Sequence, residues 1–377
     1  MPSDPILDEV NLVTLKEVFP HVIEDNFFLD TPFQARLRAK ALVPFKGGSH
    51  MQTTFLYAPM IGGAYAVGDS FNITKRQTLA GAIFDPKYYE VAVPEFLEVL
   101  EVTNKGPEAV FKLLDIDLRN AMNTISAIIA IDMARHGQTA VTGVAASRPK
   151  NLNGWVEAMN DGLTNDWNGD YFTSYGTQAR NGQIRSALNS VPFWAGAASG
   201  ASGPITYSIL EESYQDCVRG RVEPDLGVGN KAVIAYIKER MQPAQRFAQE
   251  RDPYFGMSGV KFNNALIMKD DYFPSLKYGA NDPDLGNYLT STFISAASPG
   301  STSNMPASTV LTVGEVFCWF NTSKWLFRVS DSKQYGFGFS GFIPAQDNTR
   351  VVGHIKAAVA LECTAPWANK LIFGIGS

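Results

Sequence analysis

Apolar side chains recur at steps of three and four from Phe111 to Ile129, through Leu114, Leu118, Met122 and Ile125. Lys112, Asp115, Arg119 and Asn123 are turned largely away from that stripe. This spacing is the mark of an amphipathic helix. The flanks set its limits: Asn104 can cap the start, Pro107 suits the first turn, Glu108 lies at the positive end, and Gly137 follows as a stop. The pattern predicts one helix over 107–136, about 45 Å long, a strut longer than many small domains are wide.

Ahead of this spine the periodicity is that of strands. Runs at 53–58, 64–67, 79–84 and 88–93 are separated by Gly62-Gly63, Gly68-Asp69 and Asp85-Pro86, which predicts a long extended hairpin or small sheet. Nearer the start, Thr14 and Glu17 suit a capping box for a short helix carrying Val18, Val22 and Ile23, limited by Pro20. The segment 30–40 mixes Phe33 and Leu37 with Arg36, Arg38 and Lys40, and reads as arm-like material with too little apolar surface for a core of its own.

After the spine the pattern alternates. Helices are predicted at 154–159, 205–218 and 231–240, with short strands at 226–228 and 260–268. Gly, Ser, Ala and Pro dominate 295–308, the composition of a surface loop, and strand patterns follow at 310–320, 325–329, 335–342, 351–363 and 371–375. No internal repeat is visible, and the fold class is α+β with segregated regions.

Composition supports a folded chain: 377 residues, 45% hydrophobic, can bury one large core or two moderate ones. The net charge of -5 is spread along the chain without a basic block, which argues against stand-alone nucleic-acid binding. Cys217, Cys318 and Cys363 are odd in number and widely spaced, as free thiols of a reducing compartment would be. Residues 1–10 lack the basic start and apolar run of a secretory signal, and no apolar stretch has membrane-spanning length.

Three clusters are candidates for chemistry. Gly227-Val228-Gly229-Asn230-Lys231-Ala232 partly mimics a dinucleotide fingerprint, but the plainer reading is a strand-to-helix turn in which Asn230 caps the helix. Asp132 and His136, one turn apart, could form half a metal site, although a histidine here also suits the negative helix end; His21, His50 and His354 are scattered. Trp155, Glu157, Asp161, Asp166, Trp167, Asp170 and Tyr171 combine carboxylates with aromatics as sugar hydrolysis requires, yet Asn, Gly and Asp are also ordinary turn residues. Nothing around the three cysteines suggests an activated thiol. No catalytic, cofactor-binding or metal residue is assigned, no cofactor is expected, and the chain is read as a non-enzyme.

Order along the whole chain carries a resemblance. Phe45-Lys46-Gly47-Gly48 leads into strands, then 82–89, Val91-Ala92-Val93-Pro94 and the helix start at Asn104. Asn153-Gly154-Trp155-Val156-Glu157-Ala158 follows, then Tyr175-Gly176 to Arg185 and Trp194, and Pro224-Asp225-Leu226-Gly227-Val228. Next come a helix ending at Met241-Gln242-Pro243, the run 259–271, and the tail 355–375. In this order the chain resembles the major capsid proteins of tailed bacteriophages, which have the Hong Kong 97-type fold. The likeness covers nearly the full length, and no single motif is diagnostic.

The resemblance implies an N-terminal arm over 1–46, an extended loop over 47–98, a peripheral domain over 99–140 and 351–377 that contains the spine, and an axial domain over 141–350. It implies a subunit that self-assembles through hexamers and pentamers into an icosahedral head, in the virion, after assembly in the host bacterial cytoplasm. Partners would be identical subunits, scaffolding, decoration and portal proteins, and packaged double-stranded DNA in weak non-specific contact, with no membrane. No cross-linking residues are carried over. A bacterial encapsulin shares the broad fold and is the nearest alternative within it, less favoured by the long glycine-punctuated loop. An alternative of another class is a glycan-binding or glycan-cleaving protein using the Trp/Asp cluster at 155–171.

Overall fold

A computed structural model describes residues 31–56, 60–75, 77–96, 113–134, 152–160, 174–179, 194–241, 249–251, 258–270, 273, 315–344 and 350–375. The short helix expected near Thr14, both ends of the spine, and the loop at 295–308 lie outside them.

The described part of the spine is α2 (Leu113–Asp132), about 30 Å long at its helical rise. It packs on strand β4 (Lys87–Phe96) and on β15 (Arg350–Cys363), burying Ala121, Ile125 and Ile129, with Leu118 half-buried beside them. Met122, expected on this stripe, is 38% exposed. The contact line steps 118, 121, 125, 129, and Ala121 takes the inward place because a small side chain lets the helix lie close to the strand. Asp132 at the far end is fully buried and accepts a 2.6 Å hydrogen bond from the Tyr89 hydroxyl of β4.

Two sheets share one core. In the first, β1 (Leu42–Phe45) runs parallel to β13 (Trp325–Ser330). Along one edge of β15, β13 is followed by β14 (Gly336–Pro344); β4 lies antiparallel along the other edge. The second sheet has seven strands, in the order β7 (Ala197–Gly203), β16 (Lys370–Ile375), β12 (Glu315–Phe320), β8 (Leu226–Gly229), β11 (Ala265–Lys269), β10 (Ser258–Phe262) and β9 (Gln249–Arg251).

Strand β12 is buried along its whole length because both faces of the sheet are covered. Val316, Cys318 and Phe320 face the main core with Trp325 and Leu371, while Phe317 and Trp319 face a second cluster under helices α4 (Tyr207–Asp216) and α5 (Lys231–Met241). Alternation with period two places one strand in both layers. Strand pairing crosses residue 350 in both sheets: β13 and β14 pair with β15, and β12 pairs with β16.

The segment read as arm-like is built into this core. Helix α1 (Pro32–Lys40) buries Phe33 and Leu37, one turn apart, and the Phe33 ring stacks on Phe320 at 4.1 Å. Arg36, almost fully buried, donates to the Asp225 carbonyl at 2.8 Å and pairs with its carboxylate at 3.5 Å. Two apolar residues suffice for docking because their partners come from strands nearly three hundred residues away, which no local window displays.

Candidate assembly surface

Strands β2 (Met51–Leu56) and β3 (Leu79–Phe84) pair antiparallel from Met51 with Phe84 to Leu56 with Leu79. They are the hairpin expected from the glycine-punctuated pattern, but the run 64–67, expected as a strand, forms none; the following strand, β4, leaves the hairpin for the five-stranded sheet. At the root Met51, Phe55, Ala82 and Phe84 are buried, and His50 at one side meets Asp85 at 2.5 Å.

Outward of Leu56 and Leu79 the environment changes. Every described residue from 60 to 75 is exposed. Among them are Met60, Ile61 and Val67, with Tyr65 68% exposed, Phe71 67% and Ile73 93%. Tyr65 and Phe71 meet edge to face at 5.0 Å, and a turn closes through Asp69 N to Ala66 O at 3.1 Å and Ala66 N to the Asp69 carboxylate at 2.7 Å. A two-stranded hairpin is marginal in water unless another surface covers it. Contiguous exposed apolar side chains of this size mark an interaction surface.

The chemical candidates resolve into packing. At Gly227-Val228-Gly229-Asn230 the Asn230 side-chain oxygen accepts from Val233 N at 3.0 Å, capping α5, while its amide nitrogen donates to buried Glu315. A Cβ on Gly227 would lie 2.7 Å from the Trp319 ring, so this glycine admits the indole and not a phosphate. Trp155 and Glu157 lie on the short helix α3 (Trp155–Met159) and are buried. The Trp155 ring stacks on Phe273 at 4.9 Å, and Glu157 accepts from the Asn153 amide at 2.8 Å. Neither can face a sugar; Asp161, Asp166, Trp167, Asp170 and Tyr171 lie outside the described residues, as do His21 and His136.

All three cysteines are buried and free. Burial is the main cause that pushes the Cys217 thiol up to about 12, opposite to the shift an activated nucleophile needs. Among the described residues no three His, Cys, Asp or Glu side chains converge as a metal site would require, and no helix is long and apolar enough to cross a membrane. The pattern of strands and glycines alone did not reveal that the apolar side chains of the tip are exposed while Met51, Phe55, Ala82 and Phe84 at the root are buried. The run Met60, Ile61, Tyr65, Val67, Phe71, Ile73 among glycines was the available signal.

No protein-family profile matches the chain, and no curated protein matches it. Solved structures do. The capsid asymmetric unit of cyanophage A-1(L) matches over 97% of this chain and 99% of its own, with 12% identity and a TM-score of 0.60. The holo-SrpI encapsulin complex of Synechococcus elongatus PCC 7942 matches over 100% and 96%, with 10% identity and a TM-score of 0.57. The capsid of a native GTA particle matches over 96% and 94%, with 9% identity and a TM-score of 0.54. The chain has the Hong Kong 97-type capsid fold, of α+β class.

Proposed function

We propose that this chain is a major capsid protein, a structural and non-enzymatic subunit that self-assembles into the icosahedral head enclosing the double-stranded DNA of a tailed phage. The observation that carries the reading is the hairpin tip, a run of exposed apolar side chains projecting from a capsid-type fold. An apolar surface is needed to cover it, and on this reading a second copy of the same chain supplies one. Repeated heterologous contacts of this kind close into rings and shells, each burying more than about 1,000 Å² where it is stable. The glycan alternative finds no support, since Trp155 and Glu157 are interior packing residues.

On this reading residues 1–46 are the N-terminal arm, 47–98 the extended loop, 99–140 and 351–377 the peripheral domain that contains α2, and 141–350 the axial domain that contains α4 and α5. Hexamers and pentamers of the chain are the principal partners, with scaffolding, decoration and portal proteins as further ones. A net charge of -5 suits an inner wall that contains DNA without gripping it. The virion is its location, after assembly in the host cytoplasm.

Electron microscopy of the purified chain tests the proposal, with closed particles or capsomer rings expected. Deleting 62–76 is expected to leave a folded, soluble subunit that forms no shell, because the deleted backbone gains its partners between chains. Monomers of the full chain at high concentration, with and without a scaffold, or normal particles from the deletion variant, would overturn it.

A further inference from the structure

The hairpin tip is free, but its root is held with unusual completeness by side chains from distant parts of the subunit. Strands β5 (Ser174–Tyr175) and β6 (Gln178–Ala179) form a two-residue turn that lies against β3. Ile83 N donates to Gly176 O at 2.9 Å and the Gln178 amide donates to Gly81 O at 2.5 Å, so the turn satisfies groups on the edge of β3 facing away from β2. On β2 the Thr53 hydroxyl donates to Glu362 at 2.6 Å, and the same buried carboxylate accepts from Arg328 Nε at 2.6 Å. The rings interlock: Phe55 stacks on Trp194 at 4.0 Å and 8°, and Phe84 meets Tyr175 at 5.1 Å.

This socket is in turn anchored to the body. Tyr175 is fully buried; its hydroxyl accepts from Cys363 N of β15 at 2.9 Å and its carbonyl accepts from the Trp194 indole at 2.8 Å. The turn has backbone to match, with Gly176 at φ 55° and Thr177 at φ 65°, the two positive values that a tight turn of the primed type requires. Gly176 is also needed for space: a Cβ there would come within 2.7 Å of the Phe84 ring and 2.9 Å of Ala82. The contacts fall on 53–55 and 81–84; Ala80 beside them is half-buried, whereas Leu56, Leu79 and every described residue from 60 to 75 are exposed.

We infer that the 174–179 turn, with Trp194 and Glu362, is a positioning device that fixes the direction of the hairpin within the single folded subunit, before any neighbour binds. Resting on the shell reading above, this makes hairpin direction, and with it the angle between neighbouring subunits, a property encoded at the socket and not at the tip. The tip supplies adhesion; the socket supplies aim. A hairpin ordered only by its neighbour would have no need of a buried carboxylate, one stacked and one edge-to-face ring pair, and a satisfied outer strand edge at its base.

Hydrogen exchange on the full-length chain, kept below its assembly concentration, tests the inference. Amides of 51–55 and 80–84 are expected to exchange at least 100-fold more slowly than an unstructured peptide, while those of 60–75 exchange freely. Thr53→Val combined with Gln178→Ala removes both side-chain polar ties and leaves the rings and the backbone bond from Ile83 to Gly176 in place. Its root amides are expected to exchange at least tenfold faster, with β12 and β15 unchanged, and its particles to spread in diameter. Phe55→Leu, which keeps an apolar side chain but removes the stack, should give the same local loosening. Root amides that exchange freely until particles form, or variants with the exchange and diameters of the parent chain, would overturn it. Failure to form particles would sink the shell reading alone, since exchange in the free subunit still reports on the socket.

Discussion

At the scale of single residues, burial sets chemistry. The Cys217 thiol sits with Ile205, Leu210 and Tyr214 in the helix-side core, and burial raises its folded-state pKa from an ordinary 9.0 to about 12. An acid whose folded pKa is raised stabilises the fold fully below the unfolded value and loses that contribution as pH climbs from 9.0 toward about 12. Urea melts should therefore show stability falling by about 1.4 kcal/mol per pH unit from this group within that window. Cys217→Ala should remove that slope, at the cost of a lower plateau from the cavity. Thr177 gives the converse case: exposed, β-branched and held at φ 65°, it occupies backbone that L residues resist. Thr177→Asn, a residue at ease there, should raise stability by about 1 kcal/mol in a denaturant titration.

Elements were legible wherever their determinants are local. The periodicity of 113–132, the alternation in 325–329 and 351–363, and the Asn230 cap are contained in short windows, and each corresponds to an element of the fold. Partnerships were not legible. Parallel pairing of β1 with β13, the docking of α1 through Phe33 and Leu37, and the departure of β4 from the hairpin depend on residues far away in the chain. Charge was misleading for α1, because Arg36 reads as a solvated residue until Asp225 is placed beside it. The glycines of β8 looked like a phosphate loop for a related reason: a window cannot show that the space above Gly227 is filled by Trp319 and Phe317. Gly227→Ala should cost about 1–3 kcal/mol in urea unfolding, the usual range for overpacking a filled core. A neutral result would mean that the sheet can yield there.

At the scale of the whole molecule, the outward surface divides by function. The body packs most of its aromatic side chains inside and exposes large apolar ones singly, as at Leu42, Tyr207 and Ile343; the hairpin tip exposes them as a run and carries Asp69 and Lys75 as the charged groups among its described residues. Full burial of such a side chain is worth about 1.5–3 kcal/mol before the entropy of association is subtracted, so several tips per ring can hold a shell together without ion pairs. Apolar contacts weaken on cooling and strengthen in sulfate, whereas contacts between exposed charges weaken as salt rises. If the tip is the adhesive, the concentration needed for assembly should rise on going from about 25 °C to about 4 °C and fall when ammonium sulfate is added. Light scattering across a dilution series reads both directions. Assembly that is favoured by low ionic strength and indifferent to temperature would move the adhesive from the hairpin tip to the charged boundary of the body.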